Sequence, residues 1–306
     1  MTPPPPARPA LELAEVVRRH GHRLGDGLSG EHQRILRAIS SCRTAALGGH
    51  VQTCDHCPHQ RIAYNSCRNR HCPKCQASAC ARWMADRAEE LLPVEYFHVV
   101  FTLPDAFNAP ALGNKRVVYN VLFDAVSQTL LEVAADPKHL GARIGFLSIL
   151  HTWGQNLCLH PHVHCVVPGG GLSPDGKWVS CRPGFFLPVR VLSRVFRGKF
   201  IDGLKRARAS GKLIGVDDDH AFDRLLDAAV KNDWVVYAKP PFGGPEQVLK
   251  YLARYTHRIA IANRRLVSTD DRTVTFNWKD YAHHNRPRTM TLDGACLLYT
   301  SPSPRD

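Results

Sequence analysis

Apolar positions recur along the chain at two periods, and the switches between them mark the elements. Leu11 to Arg19 carries its apolar residues at helical spacing and stops near Gly21. Ser29 precedes a second helix, Glu31 to Arg43, whose Ile35, Leu36 and Ile39 share a face beneath Arg34, Arg37 and Arg43. After a cysteine-rich stretch the period changes. Tyr96 to Leu103 is a β-rich run stopped by Pro104, Leu112 to Val133 returns to helical spacing, and Ile144 to Trp153 and His162 to Val167 are two further strands. The order is β-α-β-β. A short polar segment around Gln155 and Asn156 joins the last two strands, which predicts an antiparallel hairpin, and Gly169 to Gly171 close the unit with a turn. Farther on, the pattern predicts helices over 182–212 and 221–230, a strand over 234–238 and a loop at 240–244. A helix over 245–255, opened by Pro245 and Glu246, follows, then a hairpin of 259–262 with 273–278 about Asp270 and Asp271. Residues 1–10 are proline-rich and predict a disordered tail. The fold class is α+β.

Charge narrows the partners. Lysine and arginine number 40 against 27 acids, a formal charge of +13, with a pI of about 9.4. That excess favours a polyanion, and nucleic acid comes before a membrane because no stretch approaches the length of a spanning helix. The opening, Thr2 followed by prolines 3 to 6, is not a secretory signal, so the expected compartment is the cytoplasm. Residues 182–212 carry nine basic side chains, which suit either a phosphate-tracking face or a soluble exterior.

Eleven cysteines in a cytoplasmic chain point to metal ligands or buried thiols rather than disulfides. Two Cys-x-x-Cys pairs, Cys54 with Cys57 and Cys72 with Cys75, each present two sulfurs to one ion, with a loop or hairpin between them. These four are the expected ligands of a structural zinc. Cys67, His71 and Cys80 are alternates or ligands of a second ion, and Cys42 lies upstream of the group. A redox role for one pair lacks the surrounding βαβ pattern. Arg61, Arg68, Arg70, Lys74 and Arg82 surround the cysteines, as suits a module lying against phosphates.

The histidines repeat at strand period. His160, His162 and His164 alternate with Pro161 and Val163, so in an extended strand all three project to one face. Imidazole is a common metal ligand, and ligands at i and i+2 hold an ion only when a third group arrives from elsewhere. The predicted hairpin sets His151 across from His162, which makes His151 the expected third ligand, with Gln155 and His160 as alternatives. Tyr251 and Tyr255 lie four apart on the predicted helix, hence on one face, where both hydroxyls could approach one metal-bound phosphate.

These motifs carry a resemblance. His162-Val163-His164 resembles the His-hydrophobic-His motif of the HUH single-strand endonucleases, and Tyr251 with Tyr255 resembles the paired tyrosines of their two-tyrosine branch. Asn65-Ser-Cys-Arg-Asn-Arg-His-Cys-Pro-Lys-Cys75, His151-Thr-Trp-Gly-Gln155 and Tyr251-Leu-Ala-Arg-Tyr-Thr-His257 are together similar to IS91-family transposases, which carry an N-terminal zinc-binding domain. The resemblance spans residues 11–294. It implies a zinc-binding, DNA-holding domain over 11–92 and, over 93–294, an HUH-type antiparallel sheet with flanking helices. It also implies a nucleoid-associated enzyme that nicks and joins single-stranded DNA through a 5′-phosphotyrosine, with Mg²⁺ or Mn²⁺ on His162, His164 and a third ligand, in rolling-circle-type transposition. After Gly294 the chain departs from the family, whose further basic, aromatic segment is missing here. Residues 295–306 read as translated sequencing-adaptor DNA, so the catalytic domain is expected to be truncated and Cys296 and Tyr299 to carry no function.

Two rivals fit parts of the pattern. A histidine-triad nucleotide hydrolase would use His160, His162 and His164 with a histidine nucleophile and no metal, but leaves the tyrosines and cysteines unexplained. A zinc-dependent DNA-binding regulator without nuclease activity would leave the histidine strand idle.

Overall fold

A computed structural model of the chain describes residues 10–216, 218–239, 244, 247, 249–250, 253, 261–280, 283 and 286–300. Its contacts divide the chain into two compact units. Among the described residues, the first holds those of 1–83, 155–158 and 257–304, and the second those of 84–154 and 159–256. This division differs from the sequence boundary at 92/93, because residues beyond 257 share a core with the N-terminal helices.

In the first unit, helices α1 (Leu13–His20) and α2 (Gly30–Ser41) are followed by a ribbon of β1 (Gly49–Thr53) and β2 (Gln60–Tyr64), and then by the greater part of α3 (Pro73–Ala88), within which the division falls. The Ser29 side chain caps α2 by accepting from the His32 N–H at 3.3 Å, satisfying one of the donors a helix start leaves open. Val16, Ile35, Leu36 and Ile39 are buried with Val274, Phe276, Leu297 and Leu298. The last four come from a three-stranded sheet, β9 (Leu266–Thr269), β10 (Thr273–Asp280) and β11 (Arg286–Asp293) in the order β11-β10-β9, and from the C-terminal helix Gly294–Thr300. Strands β9 and β10 turn at Asp270, whose carboxylate accepts from the N–H groups of Arg272 and Thr273. The turn therefore lies where the sequence predicts, but the first strand is 266–269, adjacent to it, rather than 259–262. Residues 261 and 262 are not strand, and 259 and 260 lie outside the described residues. The third strand, β11, pairs along the whole of β10.

The second unit is built on an antiparallel sheet in the order β4-β5-β3-β8, where β3 is Tyr96–Thr102, β4 Leu147–Trp153, β5 Leu159–Pro168 and β8 Val236–Lys239. Alternation gives it two different faces. Phe97, Val99 and Phe101 of β3 stand opposite Val167, Cys165 and Val163 of β5, and all six are buried in one core. Helices α5 (Lys115–Ala135) and α6 (Val189–Ala209) supply Val118, Leu122, Val126, Leu192, Phe196 and Phe200 to the same core. Phe101 meets Phe196 edge-on at 5.1 Å between centroids, a favoured aromatic geometry. Contrary to the sequence expectation, α5 is long and apolar enough by length and composition to cross a membrane. Its apolar face is occupied by this core, which accounts for that composition.

Of the nine basic residues over 182–212, Lys199, Arg206 and Arg208 meet Glu132, Asp202 and Asp219, each at 2.6 Å, and Arg197 donates to the carbonyls of Val230 and Asn232.

Candidate metal centres

The sheet face away from the helices carries the histidines. The register sets His151 of β4 opposite His162 of β5, while Val100 and Thr102 of β3 face His164 and His162. One ring nitrogen from each of His151, His162 and His164 falls within 4.8 Å of the others. Their ring centroids are 4.6 to 5.2 Å apart, and the planes cross at 69° to 85°, so the rings converge edge-to-face on a common region rather than stack. His151 and His164 are buried and His162 is half-buried.

Two of the three rings have an oriented Nδ1. The His162 Nδ1–H donates to the His160 carbonyl at 2.6 Å, which leaves Nε2 as the ligating nitrogen. His164 Nδ1 lies 2.8 Å from Nε2 of His98 on β3, with the two rings nearly parallel at 11°. Burial pushes His98 down to about 4, so it is neutral near pH 7. Three neutral imidazoles without a thiol form a donor set that suits a first-row divalent ion. The residues fit such an ion.

His160 departs from the expected pattern. The β4–β5 register shifts between His151 and Trp153, so that Trp153 pairs with Leu159. Pro161, which has no N–H to give the ladder, sits in the irregular stretch. His160 is 43% exposed and lies 3.7 Å from Asp105, outside the triplet. Its ring centroid nonetheless stays 5.2 Å from that of His162. The Gln155 backbone carbonyl accepts from Arg265 at 2.5 Å.

A second group of ligands comes from Cys42, Cys67, Cys72 and Cys75, whose sulfurs all lie within 4.8 Å of one another. The Cys75 sulfur is 3.6 Å from those of Cys42 and Cys67. Four sulfurs bound tetrahedrally at about 2.3 Å from zinc would be about 3.8 Å apart, so this cluster fits zinc. None of the four is in a disulfide. Burial pushes the Cys67 thiol up to about 11 and raises that of Cys72 as well. Burial also pulls Cys75 upward, but the neighbouring Cys42, Cys67 and Cys72 thiols hydrogen-bond to it and bring it below its ordinary value. Sulfurs this buried ionise together only against a cation.

The structure thus joins Cys72 and Cys75 to Cys42 and Cys67, in place of the expected Cys54 and Cys57. Cys42 follows the last turn of α2 and Cys67 lies just beyond β2, near the base of the ribbon, where Arg43 N–H bonds the Asn65 carbonyl at 3.1 Å. Cys54 and Cys57 lie at the other end, past the pairing of Thr53 with Gln60, and are exposed. Four residue steps of strand carry that tip about 14 Å from the base. The backbone N–H of His56, followed by the Cys57 thiol, lowers the Cys54 pKa there. The alternates His71 and Cys80 are half-buried and outside the cluster. Tyr251 and Tyr255 lie outside the described residues.

Sequence reasoning missed Cys42 and His98. Cys42 belongs to no Cys-x-x-Cys pair. His98 does alternate with the buried Phe97 and Val99, and that period was its one local signal.

Compared with known proteins, residues 145–299 match the family described as "Putative transposase", and residues 14–103 match the "Transposase zinc-binding domain". The chain is 56% identical over 296 residues to y4qJ of Sinorhizobium fredii (strain NBRC 101917 / NGR234), a protein described as a "Putative transposase"; the match covers 94% of this chain and 74% of that one. It is 28% identical over 304 residues to the transposase for insertion sequence element IS801 of Pseudomonas savastanoi pv. phaseolicola, covering 98% of this chain and 73% of that one. A solved metal-bound structure of the conjugative relaxase TrwC in complex with oriT DNA aligns with a TM-score of 0.31 and 11% identity, over 53% of this chain and 70% of that chain.

Proposed function

The chain belongs to the IS91-family transposases, and from that premise we propose that it cuts and rejoins single-stranded DNA through a tyrosine-linked intermediate. One observation carries the reading: His151, His162 and His164 converge on one face of an antiparallel sheet, opposite the face packed into the core. In the sequence, Tyr251 and Tyr255 supply the nucleophiles that such a centre would serve.

The phenolic oxygen of one tyrosine forms a bond to the scissile phosphorus as the bond from phosphorus to the 3′ oxygen breaks. The phenol proton passes to solvent, and the departing 3′ oxygen takes one up. A phosphodiester is exchanged for a phosphotyrosine, so the energy needed for rejoining is retained and no nucleotide cofactor is required. His151, His162 and His164 would hold a divalent ion, Mg²⁺ or Mn²⁺, and imidazole ligands favour Mn²⁺. Such an ion, when bound, withdraws charge from a non-bridging phosphate oxygen. The second tyrosine receives the next strand, and alternation between the two fits rolling-circle transposition.

Cys42, Cys67, Cys72 and Cys75 would hold a structural zinc at the base of the β1–β2 ribbon. Residues 42–75 carry Arg43, Arg61, Arg68, Arg70 and Lys74 against Asp55 as the single acid, a balance suited to DNA phosphates.

The test is cleavage of a labelled single-stranded oligonucleotide bearing an element end, in Mg²⁺ or Mn²⁺. Chelation should abolish cleavage, and His162→Ala and His164→Ala should each slow it by on the order of 100-fold or more. Cleavage at the parent rate in both variants would remove the histidine centre from the reaction.

A further inference from the structure

We infer that His98 is a positioning residue, which accepts the Nδ1 proton of His164 and so fixes the tautomer that presents Nε2 to the ion. The inference rests on the reading of His151, His162 and His164 as metal ligands.

The placement of His98 follows from the sheet. On β3, Phe97 and Val99 enter the core, so His98 must face the other way, with Val100 and Thr102 flanking the histidine strand. His98 stands opposite Val166, and His164 stands opposite Val100, two residues along. The two histidines are therefore diagonal neighbours on one face, a distance that long side chains span. The His98 Nε2 reaches the His164 Nδ1 at 2.8 Å, with ring centroids 5.1 Å apart.

Proton accounting supplies the role. A neutral imidazole carries one ring proton, and it ligates through the nitrogen that lacks it. With Nδ1 of His164 engaged by His98, the nitrogen left for an ion is Nε2. That nitrogen has a lone pair only when the proton sits on Nδ1 and is donated to Nε2 of His98. His98 must then carry its own proton on Nδ1. In the opposite arrangement, His98 donates, His164 is protonated on Nε2, and the ligating lone pair is lost. For His162 a backbone carbonyl settles the matter, since a carbonyl can only accept. For His164 the choice falls to a side chain, so it can be changed by mutation.

Mn²⁺ binding tests this apart from turnover. The zinc-loaded full chain carrying Tyr251→Phe and Tyr255→Phe is titrated with Mn²⁺, and the free ion is followed by electron paramagnetic resonance. His98→Leu removes the acceptor and should weaken binding by about 10- to 100-fold. His98→Gln places an amide oxygen near the position of the lost nitrogen and should restore most of the affinity. Parent-like binding in His98→Leu overturns the inference, as does a Gln variant as weak as the Leu variant, which would make His98 a packing residue. His162→Ala separates the levels. If it loses Mn²⁺ while His98→Leu does not, the positioning role alone falls; if the parent itself binds no Mn²⁺, the metal centre falls with it. A measurement without mutation stands beside these: ¹⁵N spectra of histidine-labelled, Mn²⁺-free protein should show His164 protonated on Nδ1. Protonation on Nε2 overturns the inference.

Discussion

At Cys42, a buried thiol outside any Cys-x-x-Cys pair sits 3.6 Å from the Cys75 sulfur, and replacing it leaves three ligands where structural zinc takes four. Purified Cys42→Ser should lose its zinc on dialysis, from about one ion per chain toward none by elemental analysis, whereas Cys54→Ser should keep it. Retention in the first and loss in the second would return the site to the ribbon tip. His20 gives a pH test. It is buried, hydrogen-bonded to the Thr269 hydroxyl at 2.9 Å, and held below its ordinary value of 6.5 by burial and then by Arg23 and Arg19, against smaller opposing effects of Asp293 and Asp270. Below 6.5 the unfolded chain gains a proton that the folded chain resists, so the stability tied to His20 is present above 6.5 and lost as pH falls. The urea midpoint should drop between pH 7 and about pH 5, and by less in His20→Gln. Residue spacing made part of this scale legible. The Cys-x-x-Cys pair at Cys72 and the two-residue repeat at His162 and His164 are local, so they can be read from the chain. Cys42 and His98 reach their partners only through folding; no spacing marks Cys42, and the alternation of His98 with Phe97 and Val99 gives its face but not its partner.

Among the elements, α5 and α6 pack tightly at Gly203, where an added Cβ would lie 2.8 Å from Val121 Cγ1. Val121 is β-branched on a helix and turns away with difficulty. Gly203→Ala should therefore destabilise the chain by about 1–2 kcal/mol in urea unfolding, with overpacking outweighing the helix propensity gained. A stabilised variant would mean that the helices part freely. Period-2 and period-3.6 patterns made the β3-α5-β4-β5 order readable, and the short Gln155–Asn156 connection made the antiparallel register of His151 with His162 readable too. Two features escaped. The register shift between His151 and Trp153 depends on how the ladder closes around Pro161, and the strand before the Asp270 turn is hard to place because Ile259 to Ala262 is as β-rich as Leu266 to Thr269. Only the latter abuts the Asp270 turn.

At the scale of the whole molecule, the chain is an IS91-family transposase with two cores, one around the thiol cluster and one beneath the histidine face. The C-terminal segment, set apart by its sequence, contributes Leu297 and Leu298 to the first core, so composition alone did not reveal its place in the fold. Formal charge of +13 suits a DNA partner, and around the cysteines Arg61 and Arg68 are exposed, as phosphate contacts require. The central claim is that a tyrosine carries the DNA, and the most direct measurement is for a covalent adduct. The chain is incubated with end-labelled single-stranded element DNA and Mn²⁺, then separated under denaturing conditions. An adduct that survives denaturation and disappears in the Tyr251→Phe, Tyr255→Phe double variant is the predicted result. Metal-dependent cleavage with no adduct, or an adduct that persists in the double variant, would contradict it.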